Sequence, residues 1–250
     1  MTLPDQNENI AAHSVGEAQT SGPNGGHWSA VVGNERLTGL AGAVLLVLIV
    51  VELATVPTLG ALLSTHVVVG VLLAGPLLVK LGSTGYRFVR YYTGSPAYVR
   101  KGPPHLPLRV LAPLLVATTL VVIGSGIGLV VTGPLYHGPL LLIHGLSTLT
   151  WLPLIAIHVF AYLWRTLRSL ADDWSKHPDR SEHLARGLRL GMNLGTLLGG
   201  AIAALLVLPF AAPWSTWITT TGKGPGPLLI IASLLITTLA LGAARLLRWQ

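Results

Sequence analysis

The chain has 250 residues, of which 51% are hydrophobic and only 10% are charged, with a net charge of +7 and no cysteine. Soluble domains usually carry about a quarter charged residues, so this composition excludes an ordinary soluble protein. The lack of cysteine excludes disulfides, thiolate metal sites, iron–sulfur clusters and covalently attached haem.

Residues 1–33 are polar, Gly-rich and acidic and lack the basic start of a signal peptide, so they predict a disordered cytoplasmic tail. Apolar runs then follow that can cross a hydrocarbon core about 30 Å thick. They lie at Leu37–Val56, Gly60–Leu81, Leu108–Val131, Pro139–Leu167, Leu188–Leu208 and Pro227–Leu247. Residues 34–170 predict a four-helix core, residues 171–187 a cytoplasmic connector, and residues 188–250 two additional transmembrane helices. The predicted fold class is an all-α integral membrane protein with six transmembrane helices.

The basic residues indicate an orientation. They concentrate before span one, between spans two and three, between spans four and five, and after span six, while only Lys223 falls on the other side. By the positive-inside rule both termini are cytoplasmic, in a bacterial inner or plasma membrane. The charge is therefore a topology signal and gives no support to a nucleic-acid partner. On the outer side, Trp214 and Trp217 predict an aromatic belt.

Three histidines lie inside the predicted spans. His144 and His158 are fourteen residues apart in span four, which puts both close to one face of a helix. His66 in span two lies at the depth of His144. A histidine in an apolar helix is most often a packing residue, but two imidazoles facing each other can ligate a haem iron. We therefore predict one haem b near the outer face, with His66 and His144 as its ligands.

Two further residues belong to this predicted site. Glu52 is the only acidic residue in any span and lies near the depth of His66 and His144. It could orient a ligand histidine, or join both histidines in binding a non-haem metal. The alternative function is therefore a non-haem metal-binding or transport membrane protein. Gly70 lies one turn after His66, where a missing side chain would let a porphyrin approach.

The histidine pattern resembles that of the di-haem cytochrome b subunits of membrane-bound formate dehydrogenases and nickel–iron hydrogenases, over Arg36 to Arg168. The resemblance implies a four-helix haem core with a second, inner haem at His158. It also implies an electron-transfer subunit, rather than a stand-alone enzyme, that connects a soluble or peripheral oxidoreductase subunit to the quinone pool within membrane lipid. The segment "KLGSTGYRFVRYYTGSPAYVRKGPP" is similar to one in a group of bacterial membrane proteins from which no activity can be carried over.

The first span departs from the family pattern. Gly39 in "RLTGLAG" stands where the family has the second ligand of the inner haem. Lys80, fourteen residues after His66, could replace that ligand, although a snorkelling lysine is the simpler interpretation. Met192 and His105 are weaker candidates. Gly39 also keeps open a third interpretation, a scaffold subunit that has lost its cofactors.

Overall fold

A computed structural model describes residues 23–103, 105–175, 180–222 and 227–246, and these residues contain no β-strand. They form eight α-helices, which confirms the all-α prediction for the described part of the chain. The helices are α1 Pro23–Thr55, α2 Leu59–Tyr92, α3 Pro96–Lys101, α4 Leu106–Thr132, α5 Leu140–Ser175, α6 Arg180–Val207, α7 Ala212–Thr221 and α8 Pro227–Leu246. Short 3₁₀ helices, Val56–Thr58 and Leu208–Ala211, link α1 to α2 and α6 to α7.

Four helical stretches of the described chain are long and apolar enough to cross a membrane. They are Ala30–Tyr92, Leu106–Thr132, Leu140–Ala171 and Glu182–Thr221. The first contains most of α1 and all of α2, and the last contains most of α6 and all of α7. The helical architecture is thus that of a membrane protein, while six separate crossings stay a prediction.

Helices α1 and α2 form an antiparallel hairpin. Near the 3₁₀ turn, the Thr55 hydroxyl lies 2.9 Å from Nδ1 of His66. At the other end, the Thr38 hydroxyl donates to the Ser83 hydroxyl at 2.8 Å. Residue numbers rise along one helix as they fall along the other, so the chain reverses at Val56–Thr58, where Pro57 occupies the first turn. This reversal lets one 63-residue helical stretch pack against itself.

Helices α4 and α5 form a second antiparallel hairpin. The indole Nε1 of Trp151 donates to the Thr119 hydroxyl at 2.9 Å, and His144 approaches Ser125 further along. The two hairpins contact each other, since α1 packs against α5 and α2 packs against α4. His66 on α2 and His144 on α5 therefore belong to different hairpins, on two helices that lie diagonally opposite each other in this arrangement.

Helix α6 crosses α2 at very short range. A Cβ added at Gly75 would lie 2.2 Å from the backbone oxygen of Thr196, and one at Gly200 would lie 3.2 Å from the backbone oxygen of Leu72. Only glycine permits backbones to approach this closely, as in many membrane helix contacts. The α2–α6 crossing therefore depends on Gly75.

Helix α1 begins well before the predicted first span. Residues 1–22 of the predicted tail lie outside the described residues, but residues 23–33 are helical. Val31 is 1% exposed because it packs against Ala97 and Tyr98 of α3. This tertiary contact stabilises helix in a segment whose local composition favours disorder.

A buried ion-pair triad joins three helices at the same end of the molecule. Both carboxylate oxygens of Asp173 on α5 accept from Nη2 of Arg189 on α6, each at 2.9 Å. Arg36 of α1 contacts the same carboxylate at 2.9 Å. The predicted connector is helical here, because residues 171–175 continue α5 and residues 180–187 begin α6. The ion pairs of Asp173 therefore hold α1, α5 and α6 together, in addition to any effect of the two arginines on membrane orientation.

The opposite end is covered by α7. Trp214 is 6% exposed, and its indole Nε1 donates to the backbone oxygen of Leu129 at 2.9 Å. The ring of His137 packs against both Trp214 and Trp217. Trp214 is thus a core residue, and the aromatic-belt prediction is wrong for it because α7 folds back over α4 and α2.

Candidate functional site

The structure brings His66 and His144 together. His66 comes from the first half of α2, His144 from the first half of α5, and their ring centroids are 6.5 Å apart with perpendicular planes. Both rings are partly buried. The depth matching inferred from the sequence thus corresponds to a real contact between the two hairpins.

The hydrogen bonds of His66 fix which ring nitrogen carries its proton. Nδ1 lies 2.9 Å from the Thr55 hydroxyl and 3.1 Å from Oε1 of Glu52. The Thr55 hydroxyl donates its own proton to the backbone oxygen of Glu52 at 2.6 Å, so it can only accept from His66. An ionised Glu52 carboxylate is likewise an acceptor. Nδ1 of His66 therefore carries the proton, as inferred from this network.

The same logic applies to His144. Its Nδ1 lies 3.1 Å from the backbone oxygen of Val122 and 3.1 Å from the Ser125 hydroxyl. That hydroxyl donates to the backbone oxygen of Val121 at 2.6 Å, so it too can only accept. Two acceptors on α4 therefore place a proton on Nδ1 of His144.

Both rings consequently have a lone pair on Nε2. Metal-bound histidines typically donate their other ring N–H to a carboxylate or backbone carbonyl, which fixes the tautomer and raises ligand basicity. His66 uses a hydroxyl and Glu52, and His144 uses a hydroxyl and a carbonyl. The pair therefore has the protonation pattern of two metal-ligating imidazoles.

The ring separation fits a shared metal ion. With metal–nitrogen bonds of about 2 Å, two imidazoles on opposite sides of one ion have ring centres about 6 Å apart. The observed centroid distance between His66 and His144 is 6.5 Å. By donor type and spacing, the two side chains fit the axial positions of a haem iron.

Glu52 and Gly70 form a separate part of the site. A Cβ added at Gly70 would lie 3.1 Å from Oε1 of Glu52, so the open space beside Gly70 holds this carboxylate. We expected Gly70 to make room for a porphyrin, but here it lets Glu52 reach His66 across the α1–α2 contact. The second carboxylate oxygen, Oε2, is buried and has no hydrogen-bond partner. Glu52 is thereby placed beside Nδ1 of His66.

The arrangement gives less support to Glu52 as a direct metal ligand. Among the described residues, no group of three His, Cys, Asp or Glu side chains is arranged to hold a metal ion. Glu52 contacts the protonated nitrogen of His66, and that nitrogen cannot bind a metal at the same time. The structure therefore places Glu52 as a residue that orients His66.

His158 has different surroundings. Its ring centroid is 4.9 Å from that of Tyr162, one turn further along α5, and Lys80 interacts with it electrostatically. The Lys80 ammonium also lies 3.4 Å from the backbone oxygen of Thr38. A Cβ at Gly42 would be 2.7 Å from that nitrogen, so the ammonium occupies a notch in α1. Thr38 is one turn nearer the start of α1 than Gly42, which is the direction expected of a snorkelling lysine.

The other candidates for the inner ligand position are not assembled around His158. A Cβ added at Gly39 would lie 3.9 Å from Cγ2 of Thr166 on α5. Met192 on α6 is 50% exposed, and His105 is exposed and directly precedes α4. Within the part of the chain that is described, no second histidine ring stacks with His158.

Several important residues were not predicted. Thr55 and Ser125 hold the histidines, yet hydroxyl residues in helices usually bond only the preceding turn and carry no functional signal in the sequence. Matching their depth to that of His66 and His144 could have identified them. No protein-family model, curated protein or solved structure matches the chain. The functional argument therefore rests on the chemistry of the site.

Proposed function

We propose that the chain is a b-type cytochrome subunit of the membrane, with His66 and His144 as the axial ligands of one haem. The observation that carries the proposal is the pair of imidazoles whose Nδ1 protons are both committed to protein acceptors. Haem b, when bound, supplies one-electron redox chemistry, and the protein supplies ligation, burial and tuning. Thr55 and Ser125 would hold the two rings in place, and Glu52 would stabilise the His66 ring through its N–H.

The membrane arrangement forms part of the proposal. Helices α1, α2, α4 and α5 would form a four-helix core that crosses the bilayer, with α6 and α8 as two additional spans. Both termini would be cytoplasmic, since basic residues concentrate at the end of the molecule where α1 begins. The histidine pair then lies nearer the outer leaflet, and the chain would exchange electrons there between a partner oxidoreductase and the quinone pool.

The deciding experiment is a visible spectrum of the detergent-purified chain, oxidised and dithionite-reduced, with a pyridine haemochrome count. We expect about one haem per chain, which His66→Ala and His144→Ala each abolish. His158→Ala is the matched control, because it removes an intramembrane histidine of the same helix as His144, and it should keep the haem. No haem in cells able to supply it, or full haem content in both ligand variants, would contradict the proposal.

The supporting residues give a finer readout. Thr55→Val and Ser125→Ala each remove one acceptor of an Nδ1–H and leave the ligand histidine in place. Loss of such an outer contact typically weakens metal binding about 10–100-fold. We therefore expect both variants to lose haem more readily on dilution than the wild-type chain. Unchanged haem retention in both would show that the hydroxyls do not position the ligands.

A further inference from the structure

A cluster of basic side chains surrounds a single carboxylate at the end of the molecule where α1 begins. Glu35 of α1 contacts Arg165 of α5 at 3.0 Å, Arg87 of α2 at 3.7 Å, and Lys101 of α3. We call these four residues the Glu35 cluster. Three positive charges face one negative charge, so the cluster retains an excess of positive charge.

Two polar groups beside this cluster are buried without a partner. Tyr98 of α3 is 4% exposed and its hydroxyl makes no hydrogen bond. Nε of Arg90 on α2 is likewise buried and unpaired. Ser95 connects the two residues, because its N–H donates to the backbone oxygen of Arg90 and its backbone oxygen accepts from the N–H of Tyr98, each at 3.0 Å. The two unpaired donors therefore belong to one region. Buried donors are nearly always satisfied in native proteins, so a ligand with acceptor atoms would complete the hydrogen bonding of this region.

The Tyr98 hydroxyl is available as a donor at neutral pH. Burial raises the pKa of the Tyr98 phenol, and the neighbouring Tyr86 adds a smaller effect in the same direction. The two rings meet edge to face with centroids 6.0 Å apart. A ligand for these donors therefore accepts hydrogen bonds, and the excess of basic side chains favours an anion.

Exposed aromatic side chains mark the level of this region in the membrane. Phe88, Tyr92 and Trp164 are each more than half exposed, at 62%, 59% and 64%. Arg168 lies over the Trp164 ring, and Arg109 donates to the Tyr92 hydroxyl. Aromatic and basic residues together are typical of the membrane–water interface, where lipid phosphates lie. The region around Arg90 and Tyr98 thus lies at the level of the lipid headgroups.

We propose that Arg87, Arg90 and Tyr98 bind the phosphate of an anionic phospholipid headgroup. Phosphate oxygens accept several hydrogen bonds at once, and guanidinium groups match their geometry. A phosphodiester also supplies the negative charge that Glu35 alone does not. The source is a lipid because the region lies among exposed interfacial aromatics, where anionic headgroups concentrate. This proposal does not depend on haem binding.

The test is lipid-dependent thermal stability of the full chain, delipidated in a neutral detergent. Phosphatidylglycerol, phosphatidylcholine and inorganic phosphate are titrated separately, and the rise in Tm gives an apparent Kd. Arg90→Gln and Tyr98→Phe each remove one unpaired donor. Arg100→Gln is the matched control, since Arg100 is exposed on α3 and has the same charge.

We expect phosphatidylglycerol, but not phosphatidylcholine, to raise the Tm of the wild-type chain. Arg90→Gln should weaken the apparent Kd about tenfold or more, and Tyr98→Phe about tenfold, as expected for losing a hydrogen bond to a charged group. Arg100→Gln should change it less than about twofold. Equal weakening by Arg90→Gln and Arg100→Gln would overturn the site in favour of general surface attraction. Equal stabilisation by inorganic phosphate alone would overturn the lipid assignment, and Tyr98→Phe decides the question if Arg90→Gln does not fold.

Discussion

The buried ion-pair triad makes a quantitative prediction about stability. The Asp173 side chain is only 10% exposed and accepts three contacts of 2.9 Å, two from Arg189 and one from Arg36. Asp173→Ala removes the carboxylate that both guanidinium groups contact in a largely buried site. Removing one partner of a buried pair typically costs about 3–5 kcal/mol. For a chain of this size that corresponds to a fall in Tm of about 6–20 °C.

The assay is thermal unfolding of the purified chain in one detergent, compared across a set of variants. Arg109→Gln is the control, because Arg109 is exposed and donates a hydrogen bond to Tyr92. The Tm of this variant should stay close to the wild-type value. The triple variant Arg36→Met, Asp173→Leu, Arg189→Met removes all the charges together and should recover most of the loss, as apolar replacement of buried ionic triads does. A Tm for Asp173→Ala equal to that of Arg109→Gln would refute the reasoning. A triple variant no better than Asp173→Ala would show that the triad acts by geometry and not by charge balance.

Two further predictions concern helix packing. Gly75→Ala places a methyl group about where the Thr196 backbone oxygen lies, so it should lower Tm by forcing α2 and α6 apart, at a cost of about 1–3 kcal/mol or more. Gly191→Ala, whose Cβ meets nothing within 4 Å, should not lower Tm, and identical behaviour of the two variants would contradict the close crossing. Trp214→Phe removes the indole donor to the Leu129 oxygen and should cost about 1 kcal/mol or more, measured by Tm in the same detergent. An unchanged Tm in that variant would mean that α7 does not anchor through this bond.

The sequence was sufficient to predict the pairing of His66 with His144 because their depths follow from helix rise and alternating chain direction. It was not sufficient to predict what holds the two rings. Thr55 and Ser125 each bond a backbone oxygen of the preceding turn, and their second role as acceptors exists only when another helix arrives. Local sequence carries no information on that arrival.

The low charge content indicated a membrane protein, and the positions of the basic residues predict its orientation. Neither indicated which side chains pair in the fold. Arg36 and Arg189 both fit the positive-inside rule, and nothing in their spacing indicates that they share the carboxylate of Asp173. The start of α1 was missed for a similar reason, since Val31 is stabilised by α3, more than sixty residues away in the chain. In each case the deciding interaction is between elements distant in sequence, which propensity and periodicity do not describe.

The two histidines of α5 differ in a way that favours one haem over two. His144 is contacted at Nδ1 by two acceptors of α4, which leaves a lone pair on Nε2. His158 is next to Tyr162 and to the Lys80 ammonium. An iron ion on His158 would add positive charge beside an existing cation in a medium of low dielectric, where like charges repel strongly. His158 has no paired histidine ring in the described part of the chain, and a cation lies near it. Both observations argue against a second haem at His158. Under the proposed function, one haem near the outer leaflet could not carry electrons across the whole bilayer by itself, so the electron donor and acceptor would both bind on that side.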